Sequence, residues 1–139
     1  MAEWVEYNVH SLLPHHMICT GTTGVLVEQA IINKISREEA RELRLTKLKS
    51  GPLGGDQQLG SLISDGKIDV LIFLWDPMEP QPHDVDVKAL LRIAVLYNIP
   101  IANNRATADF IVSSSLFATE YQPRVKDYSS YLSRPVFQP

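Results

Sequence analysis

The chain has 139 residues, 45% of them hydrophobic and 21% charged, which suits one soluble domain with a real core. A net charge of −3 argues against a nucleic-acid surface or a basic membrane patch, though a small anionic substrate remains compatible with it. A single cysteine, Cys19, excludes an intramolecular disulfide framework, and no Cys/His grouping has zinc spacing.

The longest apolar run, Val70 to Trp75, is too short to cross a bilayer. The opening Met-Ala-Glu-Trp-Val-Glu lacks the basic stretch of a signal peptide, so a cytoplasmic location is expected. Residues 2–13 predict a helix with Trp4, Val5, Val9 and Leu12 on one face. Residues 15–20 predict a buried strand. It breaks into Thr20-Gly-Thr-Thr-Gly24, after which residues 25–35 resume helical periodicity. Ser36 with Glu39 fits a capping box at the start of a charged surface helix.

A strand at residues 45–49 leads into Ser50-Gly-Pro-Leu-Gly-Gly-Asp-Gln-Gln-Leu-Gly60, and Ser61 to Gly66 reads as a helix ending at glycine. Residues 68–75 are β-branched and nearly all apolar, the profile of an interior parallel strand covered on both faces. Asp76 to Asp84 is a proline-rich loop, 85–97 a helix, 98–102 the last strand and 103–112 a final helix, with an irregular tail from Tyr121. Strand and helix alternate without a linker. The expectation is one three-layer α/β/α domain, residues 1–139, with a mainly parallel sheet and right-handed crossovers.

In such sheets ligands bind beyond the carboxyl ends of the strands, where three rich turns should gather. Thr20, Thr22 and Thr23 place hydroxyls beside two glycines at a helix start, a setting for phosphate, and Ser50 and Gly51 could complete that cradle. The same threonines also suit a plain N-cap at Thr22 or Thr23. Neither a Walker A loop nor a dinucleotide fingerprint is present. Asp56 sits in the glycine-rich turn, either as a helix N-cap or as a carboxylate doing chemistry. His83, Asp84 and Asp86 could bring an acid–base set to it, or Asp84 or Asp86 could cap the next helix beside an exposed His83. His10, His15 and His16 have no such setting.

These blocks, with Asp69-Val-Leu-Ile-Phe-Leu-Trp-Asp-Pro77, Pro82-His-Asp-Val-Asp-Val-Lys-Ala-Leu-Leu-Arg92 and Asn104-Arg-Ala-Thr-Ala-Asp-Phe110, resemble the methylglyoxal synthase family in order from about Trp4 to Leu132. The resemblance implies a homo-oligomeric, typically hexameric, cytoplasmic lyase without metal or organic cofactor. Such a lyase converts dihydroxyacetone phosphate into methylglyoxal and inorganic phosphate. It implies Asp56 as catalytic base, His83 and Asp86 as the other catalytic groups, and Thr20, Thr22, Thr23, Ser50 and Gly51 as phosphate ligands.

Two departures stand out. Between Gly24 and Ser50 the chain is about ten residues longer than the family pattern, around Ser36–Arg44, as expected of a surface insertion. The family pattern also begins with a central strand and a His-Asp-x-x-Lys motif, whereas Met1 here falls inside the helix that follows. The expectation is that an upstream-extended version carries that strand, the alternative being a true short form. A second reading of the resemblance is a phosphate-effector-binding module, as in the regulatory domain of carbamoyl phosphate synthetase, or an inactive partner subunit.

Overall fold

The computed structural model describes residues 1–79 and 84–133. The predicted first helix is two segments, α1 (Ala2–Tyr7) and α2 (Val9–Leu12), divided at Asn8. Trp4, Val5, Val9 and Leu12 are all buried, as their spacing requires. Then follow β1 (Met17–Cys19), α3 (Gly21–Ile32), α4 (Glu39–Glu42) and β2 (Leu45–Lys47). A 3₁₀ turn, Gly51–Leu53, opens α5 (Gly55–Ser64), and β3 (Leu71–Ile72), α6 (Asp84–Leu96), β4 (Ile101–Ala102), α7 (Arg105–Ser113) and α8 (Ser129–Leu132) complete the order. The capping box forms: Ser36 N–H donates to Glu39 Oε2 at 2.8 Å, and Glu39 N–H to Ser36 Oγ at 3.2 Å.

The fold is α/β with parallel strands. β1 pairs with β2 (Met17 opposite Leu45), and β3 with β4 (Leu71 opposite Ile101). The two pairs are not hydrogen-bonded to each other. Residues 68–75 therefore depart from expectation: only Leu71 and Ile72 are in a ladder, and only with β4. A strand that lacks a neighbour on one edge keeps an extended course but loses half of its ladder.

Side-chain alternation nevertheless gives the two pairs common faces. Met17, Cys19, Leu45, Ile72 and Leu74 pack toward Trp4, Val27, Ile31 and Ala108, the layer of α1, α2, α3 and α7. Leu71, Phe73 and Ile101 pack toward Leu59, Ile63, Leu90 and Ala94, the layer of α5 and α6. Within the first of these layers α1 and α7 are tied directly, since Trp4 Nε1 donates to Asp109 Oδ1 at 2.6 Å. Among the described residues no helix is long and apolar enough to cross a membrane.

Candidate active site

Parallel pairing of β1 with β2 puts the turns that follow them on one edge. Thr20 caps α3 with an extended backbone, and Gly21 N–H donates to the Lys49 carbonyl at 3.0 Å. A Cβ on Gly21 would stand 3.0 Å from the Ser50 nitrogen, so the two turns touch backbone to backbone. Glycine is required there by close approach. The N-cap is thus Thr20, not Thr22 or Thr23, and its side chain makes no capping bond. Thr22 is exposed, while Thr20, Thr23, Ser50 and Gly51 are half-buried.

The second turn is built around the same carbonyl. Gly54 has φ +97°, the left-handed region, and acts as the N-cap of α5. Gly55 N–H donates to the Ser50 carbonyl at 3.0 Å, and a Cβ on Gly55 would collide with the Lys49 carbonyl oxygen. Asp56 therefore lies one residue inside α5 and is not its cap, which removes the plain capping explanation. It is 5% exposed, in the first turn of the helix, where the positive end of the helix dipole favours a carboxylate.

Gln58 is a positioning residue that the sequence did not single out. Its Oε1 accepts from Lys49 N–H at 2.9 Å, pinning the exit of β2 to α5. The second glutamine of the Asp-Gln-Gln string was the available signal.

Thr20, Thr23 and Asp56 open onto one cavity of about 890 Å³, shared with Phe73 and Leu74. Its lining thus includes hydroxyls, two helix starts and a buried carboxylate. Ser50, whose nitrogen stands against Gly21, and Gly51 are not among its lining residues. Asp86, in the first turn of α6, is half-buried and also does not line it. His83 lies outside the described residues. Cys19 borders the cavity from β1, and burial pushes its thiol pKa up.

Fold and site together define an α/β domain whose cavity, running along β1 and β3, carries hydroxyls and a buried carboxylate where it reaches the turn after β1 and the start of α5. Residues 1–103 match the family model of the MGS-like domain. The chain is 56% identical over 137 residues to the methylglyoxal synthase of Maridesulfovibrio salexigens, covering 96% of this chain and 87% of that protein. It is 53% identical over 134 residues to the methylglyoxal synthase of Oleidesulfovibrio alaskensis, covering 96% and 85%. A crystal structure of methylglyoxal synthase from Elizabethkingia anophelis superposes with a TM-score of 0.85 at 46% identity, covering 99% of this chain and 84% of that one. The chain belongs to the methylglyoxal synthase family.

Proposed function

We propose that this chain is a lyase that converts dihydroxyacetone phosphate into methylglyoxal and inorganic phosphate. The observation that carries the reading is Asp56, a buried carboxylate opening onto the same cavity as Thr20 and Thr23. Thr20, Thr22, Thr23, Ser50 and Gly51 would hold the phosphate through hydroxyls and backbone N–H groups at the start of α3 and at the 3₁₀ turn. Asp56 would take the proton from the hydroxyl-bearing carbon next to the ketone. The C–H electron pair then enters the enediolate, whose oxygen charge needs a donor facing it.

His83 fits that donor by its chemistry, and Asp86 fits a helper in proton transfer. With the bridging C–O bond held parallel to the π orbitals of the enediolate, the electron pair expels phosphate. The enol that remains ketonises to methylglyoxal. An isomerase would instead return the proton to the neighbouring carbon, so orientation of the phosphate decides the outcome. One domain over residues 1–139, a hexameric assembly and a cytoplasmic location belong to the same reading. The exposed Val25, Leu26 and Ile32 on α3 are consistent with burial against another subunit.

The experiment is turnover of dihydroxyacetone phosphate by the purified chain, with methylglyoxal and phosphate measured together. Equal release of both is expected, reduced by about 10²–10⁴-fold in Asp56→Asn. A folded chain that binds phosphate and releases neither product would defeat the enzyme reading in favour of a binding module. Light scattering on the same sample tests for the hexamer.

A further inference from the structure

The base and the phosphate cradle belong to different elements, and the backbone that joins them is rich in glycine. Between Ser50 and Asp56 stand Gly51, Gly54 and Gly55, with Gly54 at φ +97°. Glycine leaves a backbone its greatest conformational freedom, so this segment does not by itself fix where Asp56 stands relative to Thr20 and Ser50. The Leu53 and Gly55 N–H groups both donate to the Ser50 carbonyl at 3.0 Å, which closes the turn as far as the first residue of α5.

The remaining ties meet at Lys49. Its carbonyl accepts the Gly21 N–H at 3.0 Å, and its own N–H donates to Gln58 Oε1 at 2.9 Å. These two bonds hold the peptide groups on either side of the Lys49 Cα. The first ties the exit of β2 to the start of α3, next to Thr20, and the second ties it to α5. Successive residues of a helix turn by about 100°, so residues two apart point to nearly opposite sides. Asp56 is buried and borders the cavity, while Gln58 is exposed on the outer side, against Lys49. The Gln58 bond therefore sets the roll of α5 about its axis, and with it the direction of the Asp56 carboxylate.

We propose, on the lyase reading above, that Gln58 decides the fate of the enediolate: by fixing the roll of α5 it favours expulsion of phosphate over return of the proton. Proton removal needs only a carboxylate within reach of the carbon. Elimination is more demanding in angle. The π pair of the enediolate must move to the adjoining carbon–carbon bond as the C–O bond to phosphate breaks, and that requires the two to be aligned. With α5 free to roll, the intermediate meets the protonated Asp56 before alignment is reached. The proton then returns to the carbon it left, regenerating substrate, or goes to the neighbouring carbon, giving glyceraldehyde 3-phosphate. The C–O bond survives in both cases. Gln58 touches none of the reacting atoms and is a positioning residue.

The test is the partition of the intermediate, measured with the whole purified chain and dihydroxyacetone phosphate in heavy water. Deuterium in unreacted substrate and in glyceraldehyde 3-phosphate counts the returns, and inorganic phosphate counts the eliminations. Gln58→Leu keeps bulk and helix propensity but loses the acceptor. Its ratio of returns to eliminations should rise roughly tenfold, with KM little changed. Gln58→Glu keeps an acceptor for the Lys49 N–H and should hold the natural ratio, even where its added charge raises KM for an anionic substrate. The bond is exposed, so Tm of the Leu variant should fall by no more than about 4 °C.

An unchanged ratio in Gln58→Leu, beside an active natural chain, would overturn the role of Gln58 and leave the lyase standing. So would a loss of turnover at constant ratio, which is what a smaller folded fraction produces, or a Glu variant that partitions as the Leu variant does. Should Gln58→Leu not fold, the near-isosteric Gln58→Met is measured in its place, and failure of both to fold would make the residue structural and overturn the proposal. A natural chain that neither exchanges deuterium into substrate nor releases phosphate would defeat the lyase reading and this role together.

Discussion

Gly55→Ala is the sharpest perturbation the structure offers. A methyl at this position points at the Lys49 carbonyl oxygen, with the Ser50 carbonyl carbon 3.0 Å away, so backbone and not a side-chain tip must yield. That carbonyl also accepts the Gly21 N–H, the bond that sets the Thr20 turn against Ser50. Overpacking of this kind costs about 1–3 kcal/mol, and loss of the Gly21 bond about 1 kcal/mol more. At about 4 °C per kcal/mol for a domain of this size, Tm should fall by roughly 10 °C.

Gly60→Ala is the control. Gly60 lies on the same helix, and its added methyl would meet only Ile93 Cδ1 at 3.6 Å, ordinary contact. Removing glycine's conformational freedom from a helix interior should stabilise by about 0.5–1 kcal/mol. Thermal melts of both variants, followed by circular dichroism, give the comparison. Turnover measured well below either Tm should fall in Gly55→Ala alone, because Asp56 is the next residue. Equal Tm and equal turnover for the two variants would refute the argument that the turn is set by close approach at Gly55.

Trp4→Phe removes the Nε1–H that reaches Asp109, and should lower the urea midpoint by the equivalent of about 1–2 kcal/mol. Asp109→Asn keeps an acceptor and should cost less, so an equal loss in both would point to packing or charge in place of the hydrogen bond. Burial raises the Cys19 thiol pKa, so the folded chain keeps a proton that the unfolded chain has released at high pH. The associated stability is present below the ordinary thiol pKa and fades as pH rises through the folded value. Urea midpoints from neutral to alkaline pH should therefore fall more steeply for the natural chain than for Cys19→Ala, and parallel curves would contradict this.

Element types were legible because their causes are local. The α1–α2 face, the Ser36–Glu39 box and the alternation of turns with helices follow from spacing alone. The glycine-rich turn was legible as a place of close approach, but not which glycine was critical, since Gly55 is defined by a carbonyl from the preceding strand exit. Asp56 was ambiguous for the same reason: a cap and a buried first-turn carboxylate differ by two residues of helix phase, since the cap falls at Gly54. Residues 68–75 show the limit most clearly. Their apolar run specifies cover on two faces, which Leu71 and Ile72 have toward α5–α6 and toward α1–α3. It does not specify a neighbour on each edge, since edge pairing depends on backbone from elsewhere. Of the three turns expected to converge, two meet at one cavity, bordered by Thr20, Thr23 and Asp56, while residues 80–83 of the third lie outside the described residues.

The hydrogen-bonded strand pairs have a consequence for how the chain loses its structure. Each closes a nearly local loop, from Met17 to Leu45 across α3 and α4, and from Leu71 to Ile101 across α6. Contacts of such short separation form quickly and can open as units. By contrast, Trp4 and Asp109 lie 105 positions apart and join the first helix to the last long one. That clasp, with Ala102 and Ala108 packed into the same cluster as Trp4 and Ile31, couples the two crossover units. Cutting it should turn one cooperative unfolding transition into two, with the Met17–Lys47 and Leu71–Ala102 units melting separately.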